Sequence, residues 1–187
     1  VGIYSVAVRL SEFWLFFPAI IVSTFLPYFT DLRKKDIELY NYNLIKLYTL
    51  MFWMGVFVGT VVVFFGKDFI GFLFGNAYNG AYDALVFNIW AGAFISQGMA
   101  RGIWMVNENL QKYRLFNNIL AITTNILLNM WLIPKLGITG AAIATLISQS
   151  IGIFIFSFFW SPLRSSTLDM IKSMNPFYIL SLRRCRK

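Results

Sequence analysis

The chain has no histidine and a single cysteine, Cys185, among its 187 residues. Without His, the commonest metal ligand and the commonest proton shuttle are both missing. One thiol cannot build a disulfide framework. A glycine-rich phosphate loop, a Cys/His metal spacing and a nucleophile–base pair are also absent, so neither catalysis nor an ATP-driven mechanism is expected and no cofactor is called for. Charge is scarce too: Asp, Glu, Lys and Arg make up 13% of the residues, against about 25% in a soluble domain.

Apolar surface is what the sequence has in excess. Hydrophobic residues account for 58%, with 20 Phe and 6 Trp, and the mean hydropathy is +0.66. No water-facing fold of this length hides that much. The expected class is all-α, a polytopic membrane helix bundle. The net charge of +8 does not point to nucleic acid, because the basic residues lie in short polar gaps and the tail, not on one water-exposed face.

A spanning helix needs about 20 mostly apolar residues. Five such stretches are readable, at about 2–30, 47–66, 82–106, 115–134 and 137–160, with a linker at 31–46 and a basic tail at 164–187. Pro18 and Pro27 mark a kink or an end in the first. Short cytoplasmic loops carry the excess of Lys and Arg. Twelve basic residues fall on one side: Arg33, Lys34, Lys35 and Lys46, then Lys112 and Arg114, then six in the tail. Only Lys67 and Lys135 fall on the other. The tail and linker are therefore expected in the cytoplasm, and both read as amphipathic segments against an anionic leaflet. The chain starts at Val1 inside an apolar stretch without a cleavable signal pattern. It is expected to lack an earlier portion.

Small residues four apart let helices approach closely in lipid. Gly140, Ala144, Ser148 and Gly152 form one such stripe, and Gly55 with Gly59 and Gly98 with Gly102 form shorter ones. Polar residues also align. Ser5, Arg9, Glu12 and Ser23 share a side of the first span. Asp83, Trp90, Gln97, Arg101, Trp104 and Glu108 share a face of the third, and Gln111, Asn118, Asn125 and Asn129 one of the fourth. Charges at membrane depth turn toward protein or water. Arg9, Glu12, Trp90, Gln97, Arg101, Asn118, Asn125 and Asn129 are thus candidate lining of a hydrated cavity, with Arg101 suited to a phosphate and the amides to sugar hydroxyls. A blander account stands beside this one. Arg9 and Glu12 are three apart and can neutralise each other, Asp83, Trp104 and Glu108 can anchor at the interface, and Asn stripes can glue helices together.

Several segments look familiar. VGIYSVAVRLSEFWLFFPAIIVSTFLPYFTDL resembles the eighth helix of bacterial O-antigen flippases, polysaccharide transporters of the multidrug/oligosaccharidyl-lipid/polysaccharide exporter superfamily. FIGFLFGNAYNGAYDALVFNIWAGAF, with the turn Gly75–Asn76–Ala77–Tyr78, resembles their outer loop and tenth helix. NNILAITTNILLNMWLIPKLGITGAAIATLISQSIG resembles the eleventh and twelfth, and LNMWLIPKLGITGAAIAT within it is the most family-like run. The resemblance covers about residues 1–163. It implies helices 8–12 of a twelve-helix, two-lobed transporter in the bacterial inner membrane, with the N-terminal lobe as a missing partner and other polysaccharide-assembly proteins as further ones. The implied activity is translocation of undecaprenyl-diphosphate-linked O-antigen or other polysaccharide units, with Glu12 as a coupling site. The rivals are a drug/cation antiporter of the same superfamily and a membrane-embedded polysaccharide polymerase or glycosyltransferase.

Overall fold

The structure, a computed structural model, describes residues 2–178. Those residues form an all-α membrane helix bundle. Helix α1 is Gly2–Lys35 and α2 is Ile37–Phe74. A 3-10 turn at Asn76–Ala81 leads into α3, Tyr82–Asn107. Helix α4, Gln111–Ser150, runs on through a π turn at Ile151–Ile155 into α5, Phe156–Phe159. A 3-10 turn at Ser161–Leu163 introduces the short α6, Arg164–Ser173. Cys185 and the four basic residues at 183, 184, 186 and 187 lie outside the described residues.

The expected linker at 31–46 is absent as a separate segment. Helix α1 continues through it to Lys35, and α2 begins two residues later. Asp36 makes the break: its backbone is extended, and its side chain accepts from the Leu39 amide at 2.9 Å. That is an N-cap, satisfying a donor that the first turn leaves over. Leu32, Tyr40, Leu44 and Ile45 are buried in the protein, so this stretch gives most of its apolar face to the bundle. Helix α2 likewise outruns its expected end at Gly66 and stops at Gly75, whose φ of +86° few other residues tolerate.

Helix α4 is two rods. At Gly137 the backbone leaves helical geometry at φ +57°, three residues after Pro134, and the chain doubles back. The packing pairs converge on this corner from both sides. A Cβ on Gly140 would strike the Leu132 carbonyl, Asn125 donates to Ser148 at 3.2 Å, and a Cβ on Gly152 would come within 2.8 Å of Ala121. The small-residue stripe thus seats the second arm, 138–159, antiparallel on the first, 111–136. Gly55 does similar work between α2 and α3, where a Cβ would lie 2.6 Å from the Ala93 Cα.

Among the described residues three helical stretches are long and apolar enough to cross a membrane: Gly2–Lys35, Ile37–Phe74 and Gln111–Phe159, the last covering both arms. Helix α3 falls short of that hydropathy, for a positional reason. It is packed against α1, α2 and α4, and 14 of its 26 residues are buried, so protein rather than lipid surrounds much of it. The outward side chains elsewhere are strongly apolar: Phe72 is 88% exposed, Phe64 73% and Met130 72%. Such a surface suits hydrocarbon and not water.

One end of the bundle gathers the basic gaps. Arg33 at the end of α1 grips Glu108 just past α3 with two bonds, Nε to Oε1 at 2.7 Å and Nη2 to Oε2 at 3.2 Å. Thr30 donates to Asn107 beside them at 2.9 Å. Helix α6 packs under the same end against α2, with Leu163 and Met170 wholly buried. The Tyr48 hydroxyl lies 3.3 Å from that of Ser166.

Candidate functional site

Gln97 and Arg101 stand one turn apart on α3, so they share a face. That face looks toward the end of the α4 second arm and toward α6. Gln97 is fully buried and donates to the Met170 carbonyl at 3.3 Å and the Ser173 hydroxyl at 3.1 Å. Arg101 is 2% exposed. Its Nη1 donates to the Ile153 carbonyl at 3.0 Å and the Ser157 hydroxyl at 2.7 Å. Its Nη2 donates to the Leu163 carbonyl at 3.2 Å and the Thr167 hydroxyl at 2.8 Å. Ile153 sits in the π turn and Leu163 at the junction of a 3-10 turn with α6, places where helical carbonyls lose their regular partners. A planar five-donor group can serve several of them at once. Of the Arg101 guanidinium nitrogens, the buried Nε lacks a partner, as does the Gln97 Oε1 on the same face.

The network spreads to the first arm of α4. Asn117 donates to Ser157 at 2.9 Å and accepts from the Trp160 indole at 3.1 Å. Asn117 was not among the residues the sequence singled out. Its neighbour Asn118 was, because Asn118 aligns with Asn125 and Asn129. The burial of Asn117 depends on where Ser157 and Trp160 fold back, which periodicity along one helix does not reveal.

Beside Arg101 lies a cleft of about 170 Å³ between α3 and both arms of α4. Its polar lining is Arg101, Arg114, Asn117, Asn118 and Gln149; its apolar lining includes Met99, Met105 and Ile153. A volume of that size holds about five waters at their liquid share. It admits a small anion but not an oligosaccharide. Arg114 and Gln149 are further residues that sequence reasoning passed over, Arg114 having been counted only as a charge in a loop.

The remaining sequence candidates fall elsewhere. Arg9 and Glu12 are both exposed on α1, and no ion pair joins them among the described residues; they stand apart from the cleft. Trp90 lies over Gly59, where a Cβ would come within 3.2 Å of the indole, so this pair forms part of the α2–α3 contact. Asn129 donates to Asn125 at 2.9 Å, and Asn125 to Ser148, so these amides tie the two arms of α4 together. Gln97 is closed off behind α6. Of the polar candidates, Arg101 and Asn118 are brought together in the cleft. Gly98 and Gly102 differ from the packing stripe they were read as. A Cβ at Gly98 would meet only the flexible tip of Ile153 at 3.2 Å, and one at Gly102 would meet the Arg114 guanidinium at 3.0 Å.

Among the described residues no cluster of three or more acidic or Cys side chains is arranged to hold a metal. The chain is similar to a probable flippase, AglR, from Haloferax volcanii, with 32% identity over 166 residues. The match takes in 81% of this chain and 33% of the relative, so the chain spans about a third of the length of the curated protein it matches. No family model and no solved structure matches it. The likeness and the long apolar helices together support a multi-pass membrane protein.

Proposed function

We propose that this bundle is part of a flippase that carries a lipid-linked oligosaccharide from one leaflet to the other. The observation that carries the reading is the cleft with two arginines, buried Arg101 and exposed Arg114, and three amides, opening on the surface of an otherwise apolar bundle, taken with the likeness to a probable flippase. A polyprenyl diphosphate fits that chemistry. Its diphosphate seeks cations and amide donors, while its chain stays in hydrocarbon. The finer reading is an undecaprenyl-diphosphate-linked O-antigen or related polysaccharide unit, moved across a bacterial inner membrane with the basic end in the cytoplasm.

The cleft is too small for the sugars, so they would occupy a passage completed by the remaining helices of a two-lobed transporter. Alternating access would rock one lobe against the other. A drug/cation antiporter is disfavoured by charge: cationic cargo calls for buried carboxylates, and this cleft offers guanidinium groups. Deleting the gene in its own host should remove surface glycan and leave the lipid-linked unit on the cytoplasmic side, and the full-length coding sequence should restore it. Surface glycan unaffected by the deletion would overturn the reading.

A further inference from the structure

The Arg114 side chain sits on the border between two differently built hollows. On one side is the polar cleft with Arg101, Asn118 and Gln149. On the other is an apolar groove of about 340 Å³ between α1 and α3, lined by Val22, Leu26, Met99 and Val106 among others. Arg114 lines both. Its guanidinium rests against α3 where Gly102 has no side chain, with Nη1 3.0 Å from the place a Cβ would take. It makes no hydrogen bond and no ion pair among the described residues. The contrast with Arg101, which makes four hydrogen bonds to the protein, is sharp.

We infer that Arg114 is the cation that binds the phosphate of the lipid carrier, with the head in the polar cleft and the first part of the chain in the α1–α3 groove. This rests on the function proposed above and names the residue and orientation within it. Three observations converge. Arg114 is exposed and has no counter-charge among the described residues. A polar and an apolar hollow meet at its side chain, which is the division an amphiphilic phosphate ester needs. Arg101, nine-tenths buried on the wall of the same cleft, adds a second positive charge beside it while its own Nη donors are taken up by Ile153, Ser157, Leu163 and Thr167. Arg101 is then a positioning residue that holds the cleft wall, and Arg114 is the one that touches the carrier.

The test uses the full-length protein in nanodiscs of neutral lipid, with farnesyl diphosphate as the probe. Wild type should bind it, and Arg114→Ala should weaken binding by about tenfold or more, the scale of one charge-assisted contact. Gly102→Ala offers a second variant. Alanine is the better helix former, and the atom it meets is the tip of a flexible side chain, so the protein should fold normally while the guanidinium is pushed aside and affinity falls several-fold. Inorganic diphosphate should bind more weakly than the prenyl ester, because it leaves the groove empty. Equal affinity for the two would overturn the groove assignment. Displacement of the probe by an equal concentration of phosphatidylglycerol would reassign the site to bulk headgroups and overturn the carrier. Unchanged affinity in both variants would overturn Arg114 while leaving the flippase reading in place; no binding by wild type would overturn both.

Discussion

The Arg101 guanidinium donates to the Ser157 hydroxyl at 2.7 Å across 56 positions of sequence. This single contact ties the central helix to the region where α4 ends and α6 begins, and Ser157 then passes the connection to Asn117. The basic end of the bundle is thus closed by a polar network rather than by apolar packing alone. Buried polar groups of this kind are costly to leave half satisfied.

Arg101→Ala should therefore act on stability before it acts on transport. It removes four hydrogen bonds at once. Ser157 keeps Asn117 and the Leu163 carbonyl keeps Thr167, but the Ile153 carbonyl loses this donor, and an unpaired buried polar group costs about 1–3 kcal/mol. The detergent-solubilised variant should unfold several degrees earlier, with lower membrane levels. Arg101→Lys keeps the charge but not the planar fork, so it should fall between wild type and alanine. A melting curve unchanged by either variant would contradict the network.

Two glycines should respond oppositely to alanine. At Gly55 the added Cβ would lie 2.6 Å from Ala93 backbone and side chain, so α2 must move off α3, a cost of about 1–3 kcal/mol. At Gly98 it meets only the Ile153 tip, and the helix preference for alanine, about 1 kcal/mol, should make that variant neutral or better. Thermal unfolding of the two purified variants checks the ranking.

The pairing of Arg33 with Glu108 fixes two polar gaps at one end of the bundle. In a Cys185→Ser background, single cysteines at Lys34 and Lys112 should react with an impermeant thiol reagent from the same side. Cysteines at Lys67 and Lys135 should react from the other. The excess of basic residues predicts the first pair on the cytoplasmic face; labelling of Lys34 and Lys112 positions from opposite sides would rule out the observed packing.

Asp169 on α6 has its carboxyl pushed above the usual range by burial, with Lys172 partly opposing. The folded state therefore favours the protonated acid, and the stability gained from it is complete below the ordinary carboxylate range and lost as pH rises through the elevated value. Asp169→Asn should melt higher than wild type at neutral pH and no higher in mild acid. A constant difference across that range would mean that the charge of Asp169 is not what matters there.

Some of this was open to reading from the residues alone, because it depends on counts and on short-range geometry. Long charge-free runs require lipid wherever they end up, and helices follow, since lipid offers the backbone no other partner. The stripe from Gly140 to Gly152 sits at a spacing that forces one face of one helix, and it packs as one face. What such a face packs against, here the first arm of the same helical stretch, is not written in the spacing.

What the sequence could not decide is which polar residue meets which. Arg101, Gln97, Asn125 and Arg114 look alike on a helical wheel: each is a polar side chain in or beside an apolar span. Folding the chain back at Gly137 and tucking α6 under the bundle gave the first three partners from distant positions, and it left Arg114 lying over Gly102 with none. Helical periodicity fixes only the direction in which a side chain points. Whether that direction leads to a protein carbonyl or to an open cleft depends on how the other helices are arranged around it.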